Sequence, residues 1–196
     1  GAGKSLVLAE LAKVAKGRVL ILTHVKELVA QNAEKVGLLS AAASIFAAGL
    51  NQKDSSAKTV IASVQSAGRN LSQFNQPFSL LIIDECHRVS LDDTSQYQQL
   101  FTHLRQKNPS LKILGLTATP YRLDSGLLHE GEGALFTDIA YEVSVHQLID
   151  DGYLSPLVTK HMATKLDVSA VGTRGGEFIP RDLEDAIDTE AITTAA

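Results

Sequence analysis

Leu80-Leu81-Ile82-Ile83-Asp84-Glu85-Cys86-His87 runs four aliphatic residues straight into two adjacent carboxylates. An unbroken apolar run of this length predicts a strand buried on both faces, the kind found in parallel sheets. The acidic pair then falls at the carboxyl end of that strand, where open α/β sheets bind their ligands. The neighbouring segments repeat the pattern. RVLIL (18–22), ASIFAA (43–48), TVIAS (59–63) and KILGL (112–116) read as further strands. Helices are predicted over 5–15, where Leu8, Leu11 and Val14 recur at helical spacing, and over about 25–36. A short helix is predicted near 66–71, and another helix presents Tyr97, Leu100, Phe101 and Leu104 on one face. This alternation predicts an α/β domain, a mostly parallel sheet with helices on both faces.

GLNQKDSSAK (49–58) reads as a polar loop. After Pro120 the rhythm breaks: YRLDSGLLHEGEG is loop-like, IAYEVSV and LVTKHMA are predicted strands, HQLIDDG a short helix, VGTRGGEFIP a flexible crossing, and 181–187 the start of a last helix.

Composition bounds the function classes. The 196 residues are 44% hydrophobic and 20% charged, which is a globular balance, and suit one ordinary domain with a short appendage. A formal net charge of −4 argues against a broadly basic grip on a partner, but nucleic acid can also be held by backbone amides and a few placed cations. The single cysteine, Cys86, permits no internal disulfide and supplies no metal-ligand set; it reads as a small packing residue. No apolar run reaches membrane-spanning length, and a reducing, cytoplasmic setting is expected.

Two further stretches carry chemistry. GAGKS (1–5) matches the end of the phosphate-loop pattern, Gly-x-x-x-x-Gly-Lys-Ser/Thr, and leads into a helix as that pattern requires. Gly1, Ala2 and Gly3 would wrap backbone N–H groups around phosphate oxygens, Lys4 would reach the β- and γ-phosphates, and Ser5 would ligate Mg²⁺. Taken alone, GKS reads equally as a glycine-rich helix start with a surface lysine. Asp84 would hold the same Mg²⁺ and Glu85 would polarise the attacking water; alone, the pair also fits a helix cap. LGLTATP supplies Thr117-Ala118-Thr119 after a strand, which by itself is simply a threonine-rich turn before Pro120.

With these three motifs in this order, the chain resembles the superfamily 2 helicases: GKS as motif I, Asp84-Glu85-Cys86-His87 as a DExH-type motif II, and Thr117-Ala118-Thr119 as motif III. The resemblance implies a RecA-like P-loop domain using ATP and Mg²⁺. It also implies catalytic roles for Lys4, Asp84, Glu85, His87, Thr117 and Thr119, with His87 contacting motif III. LTHVKELVAQ (22–31) resembles motif Ia, with Thr23-His24 at its Pro-Thr position and Gln31 at its Gln. FAAGL, around Gly49, and ASVQSAGR, around Ser63, Gln65 and Ser66, resemble the two motifs after it. In the family these loops hold a nucleic-acid backbone. Arg69 could touch a phosphate or be merely solvated.

HVKELVAQN, IFAAGL, SVQSAGRNL, DECHRVS, GLTATPYRL and GYLSPL together look most like the RadD (YejH) group of bacterial DNA-repair helicases. On this resemblance residues 1–145 are the first RecA-like domain and 146–196 an extension crossing toward a second one, which would supply arginine fingers. The expected partner is single-stranded or branched DNA. A type I or III restriction motor, an RNA helicase, a P-loop ATPase without a nucleic-acid role and a non-catalytic interaction module are the alternatives, the last disfavoured by intact Lys4, Asp84 and Glu85. Because the first glycine of the phosphate loop would precede Gly1, the expectation is a fragment with half a phosphate cradle, with weak ATP binding, very slow hydrolysis and no unwinding.

Overall fold

A computed structural model of the chain describes residues 3–39, 43–92, 94–122, 126–131, 134–156, 168–174 and 177–187. Among these, the elements that build the site are α1 (Lys4–Val14), β1 (Val19–Thr23), α2 (Lys26–Leu39), β2 (Ala43–Ala47), β3 (Gln52–Lys53), β4 (Thr59–Ser63), α3 (Val64–Gly68), β5 (Leu80–Asp84), α4 (Gln96–Lys107) and β6 (Lys112–Leu116). The main sheet runs β3-β2-β4-β1-β5-β6. β2, β4, β1, β5 and β6 pair in parallel, and β3 returns antiparallel along β2, with Lys53 opposite Phe46. All five residues of β1 and of β4 are buried, as the apolar runs at their centres predict, and Thr23, Thr59 and Ser63 are buried with them.

Side chains alternate between the two faces of this sheet. Ile21, Ile61 and Ile82 pack with Leu8, Ala9 and Ala12 of α1 and Val29 and Val36 of α2 on one side. Leu20, Leu22, Leu81 and Ile83 pack with Ala67 of α3 and Tyr97, Leu100, Phe101 and Leu104 of α4 on the other. Helices cover both faces, as expected. The α4 face contributes most clearly: burying each of its large apolar side chains is worth about 1.5–3 kcal/mol, and Ser95 caps the helix by accepting from the Gln98 N–H.

Five expectations need correction. The α1 face is Leu8, Ala9 and Ala12, while Val14 is exposed; the small alanines allow the helix to lie close to the sheet and α2. The loop at 49–58 contains the edge strand β3, reached through a 3-10 turn, Ala48–Leu50, whose exit residue Asn51 takes φ 54°, a left-handed conformation that Asn tolerates. Residues 139–144 form no strand; the chain runs irregularly into α5 (Val145–Asp150), capped by Ser144. The stretch read as a flexible crossing holds an antiparallel pair, β9 (Thr173–Arg174) and β10 (Glu177–Phe178), before α6 (Pro180–Ile187). A small pair, β7 (Tyr121–Arg122) with β8 (Gly126–Leu127), also lies within the stretch read as loop. The predicted strand LVTKHMA lies outside the described residues.

Candidate nucleotide and nucleic-acid site

The carboxyl ends of the parallel strands gather the motif residues. Gly3 precedes α1 with φ 75°, a left-handed value that a residue with a Cβ rarely adopts, and nothing lies within 4 Å of the Cβ position it lacks. Its carbonyl accepts from the N–H groups of Leu6 (3.0 Å) and Val7 (3.2 Å), so the first turn of α1 starts directly after the glycine. Lys4 Nζ donates to Glu85 Oε1, an ion pair joining residues 81 apart in sequence. Ser5 is half-buried in the same turn. Gly1 and Ala2 lie outside the described residues.

Asp84 ends β5 and is buried. Its Oδ1 accepts from the Glu85 N–H at 3.2 Å, and its Oδ2 accepts from Asn32 Nδ2 at 3.0 Å. Glu85 takes φ 51°. A non-glycine residue held there costs on the order of 1–2 kcal/mol, and such outliers concentrate at functional sites. The kink turns the chain from β5 into a 3-10 turn, Cys86–Arg88, and leaves the Glu85 side chain partly exposed beside Lys4.

His87 follows, nearly buried. Its Nδ1 lies 2.8 Å from Thr117 Oγ1 and 3.5 Å from Glu85 Oε2. Thr117 Oγ1 donates to the Thr119 carbonyl (3.1 Å) and accepts the Thr119 N–H (3.0 Å). With its proton directed at Thr119, the Thr117 hydroxyl accepts from His87, so the tautomer protonated at Nδ1 fits both neighbours. Arg122 Nε donates to the His87 carbonyl at 2.8 Å and its guanidinium also donates to the Val89 carbonyl, tying β7 to the turn after β5. Thr119 takes part through its backbone N–H and carbonyl. Cys86 is buried, and burial pushes its thiol up to about 12, so it stays protonated and packs.

The residues fit a Mg²⁺·nucleotide. Mg²⁺ is usually held by one or two protein oxygens together with substrate phosphates. Among the described residues no group of three or more His, Cys, Asp or Glu side chains could hold a metal on its own. Asp84 with Ser5 supplies two oxygens on neighbouring elements, and the Lys4 ammonium stands beside Glu85 at a helix N-terminus.

A second cleft, of about 370 Å³, opens at the ends of β2 and β4. Gly49, Ser63, Gln65 and Ser66, all singled out from the sequence, line it, together with Lys26, Lys53 and Arg69. The serines build the cleft: Ser63 Oγ donates to Ser66 Oγ (2.9 Å), which accepts the Ala48 N–H (2.9 Å), and Ser63 caps α3. Gln65 Nε2 donates to the His24 carbonyl at 3.0 Å, and buried Thr23 donates to the Val25 carbonyl at 3.2 Å, so the turn between β1 and α2 is braced from within. Gln31 is exposed on α2. Lys26 lies against Gly49, where an added Cβ would stand 3.1 Å from Lys26 Cδ.

Sequence reasoning missed Lys26, Lys53 and Asn32. The lysines are far apart in a chain with a net negative charge, and the turn into β3 was not recognised. Asn32 did leave a signal, a polar residue on the Val29–Val36 apolar stripe of α2.

The family model for the type III restriction enzyme res subunit matches residues 1–122, a span that includes every one of these motifs. The chain belongs to this family. A DNA 3'-5' translocase XPB2 from Sulfurisphaera tokodaii is 31% identical over 195 residues, 98% of this chain and 40% of the relative. A type I restriction enzyme EcoAI endonuclease subunit from Escherichia coli is 34% identical over 98 residues, 50% of this chain and 11% of that one. The chain therefore spans well under half the length of these curated relatives. The crystal structure of the Pyrococcus furiosus Hef helicase domain matches 61% of the chain and 28% of its own, with TM-score 0.50 and 25% identity. The res-family chain thus has the mostly parallel sheet and flanking helices of the RecA-like helicase-domain fold, as its alternation of strands and helices anticipated. No helix among the described residues is long and apolar enough to cross a membrane.

Proposed function

We propose that this domain binds and hydrolyses Mg²⁺·ATP and couples hydrolysis to a DNA strand in the basic cleft. Lys4 neutralises phosphate charge, Ser5 and Asp84 hold Mg²⁺, Glu85 orients and deprotonates the attacking water, and His87 with Thr117 and Thr119 links Glu85 to the loop after β6. Bound Mg²⁺ supplies electrostatic stabilisation of the phosphoryl group; the chain's own groups bind, orient and accept the proton. The observation that carries the reading is the continuous run of contacts from Lys4 to Glu85, His87, Thr117 and Thr119. Lys26, Lys53 and Arg69 around Gly49, Ser63, Gln65 and Ser66 support a phosphate-backbone partner.

The whole protein, on this reading, is an ATP-driven DNA motor whose second RecA-like domain completes the nucleotide site; 146–196 lead toward that domain. A cytoplasmic setting suits it. The motif strings favour the RadD group and DNA repair. A restriction motor is the second reading, favoured by the res-subunit family and the restriction-enzyme relative.

The test is the ATPase rate of the full-length protein with single-stranded DNA, duplex DNA or RNA, beside Glu85→Gln. DNA-specific stimulation that Glu85→Gln reduces by about 10²–10⁴-fold, with nucleotide binding kept, is expected. Equal rates with and without every polynucleotide would sink the coupling. A nuclease or methylase-docking domain in the full-length chain would favour the restriction motor.

A further inference from the structure

Asn32 is fully buried on α2, and its side chain's one hydrogen bond among the described residues is the 3.0 Å donation from Nδ2 to Asp84 Oδ2. Its Oδ1 is buried without a partner. A side chain kept for packing would avoid such an orphan, since an apolar residue of similar volume would fill the space without one. Turning the amide over would set Oδ1 against a carboxylate oxygen, so the donor faces Asp84. With the Glu85 N–H on Oδ1 and Asn32 on Oδ2, each oxygen of Asp84 has one fixed donor and its carboxylate plane is set.

The same helix reaches the other site. Lys26, at the first residue of α2, lines the basic cleft and lies against Gly49. Six residues of helix, about 9 Å, separate it from Asn32. The turn before α2 is braced by Gln65 at the His24 carbonyl.

We propose that Asn32 is a positioning residue for Asp84, and that α2 ties this carboxylate to whatever occupies the cleft at Lys26. The inference rests on the ATPase reading above. It supplies a link between the cleft and Asp84, whereas the route through His87 and Thr117 joins Glu85 to the loop after β6. Orientation of a carboxylate ligand by an outer hydrogen bond is worth about 10–100-fold in metal affinity.

The experiment measures Mn²⁺ binding to the full-length protein by electron paramagnetic resonance. A non-hydrolysable ATP analogue is present, and a single-stranded oligonucleotide is added or left out. Asn32→Leu and Asn32→Ala are compared with wild type, and circular dichroism melts check folding. Both variants should bind Mn²⁺ about tenfold more weakly, lose the oligonucleotide's effect on that affinity, and keep wild-type oligonucleotide affinity without nucleotide. Wild-type Mn²⁺ affinity in folded variants would overturn the proposal. So would loss of folding in both, which would assign Asn32 to the core. Weakened Mn²⁺ with an undiminished oligonucleotide effect would overturn the tie through α2. A wild type that binds no Mn²⁺ with the analogue would sink the ATPase reading and this inference together.

Discussion

His87 Nδ1 sits 2.8 Å from Thr117 Oγ1, joining two segments 30 residues apart at the ends of neighbouring strands β5 and β6. The contact is short, nearly buried and shared with Glu85 Oε2 at 3.5 Å. A shift of the loop after β6 therefore moves the imidazole that neighbours Glu85.

Removing either partner should uncouple more than it inactivates. His87→Ala and Thr117→Val are each expected to lower DNA stimulation of the ATPase by about 5–100-fold, with a smaller loss of basal rate. The double variant should be hardly worse than either single one, because residues in direct contact are not additive. Independent, multiplying effects in a steady-state double-mutant cycle would count against the contact as the link.

The basic cleft makes a salt-dependent prediction. Lys26→Ala, Lys53→Ala and Arg69→Ala should each weaken single-stranded DNA binding similarly across sequences and reduce the slope of log K against log salt by about 0.7. Fluorescence anisotropy titrations across a salt series measure this. An unchanged slope in all three would move the DNA elsewhere.

Gly115→Ala should destabilise the domain. The new Cβ would stand 2.5 Å from Cys86 Sγ and 2.5 Å from Phe136 Cζ, so two packed side chains must move. Overpacking of this kind costs about 1–3 kcal/mol, which in a domain of this size lowers the melting temperature by several degrees, about 2–4 °C per kcal/mol. A melt equal to wild type would show that Phe136 swings away freely.

Cys86 predicts alkaline behaviour. Its thiol is held near 12 by burial, against about 8.5 in an unfolded chain. Below about pH 8.5 both states keep the proton and stability is at its full value. Between there and pH 12 the unfolded state loses the proton first, so stability falls, by up to about 1.4 kcal/mol per pH unit from this one group. Tyr97, pushed to about 12 by burial, adds to the loss from about pH 10 upward. Urea titrations at pH 8, 9.5 and 11 should show the decline, and Cys86→Ala should remove its earlier part. Iodoacetamide at pH 8 should label Cys86 slowly in folded protein and quickly in urea; rapid labelling of the folded form would contradict the burial.

Local chemistry by itself determined the main parallel strands, because a mostly apolar run of strand length must bury itself in the sheet: the buried β4 coincides with TVIAS, the half-buried edge strand β6 with KILGL, and the Tyr97, Leu100, Phe101, Leu104 face of α4 is buried as its spacing requires. It also singled out the motif residues, all of which fall within the span of the family match. The tertiary structure decided what those residues touch. The order β3-β2-β4-β1-β5-β6 sets β5 beside β6, and so His87 beside Thr117. It also folds β3 back to carry Lys53 to the cleft and brings α2 across to set Asn32 against Asp84. Periodicity acts over a few residues and carries no record of strand order. Contacts between residues 30 or 52 positions apart depend on that order, and they appear once the sheet has assembled.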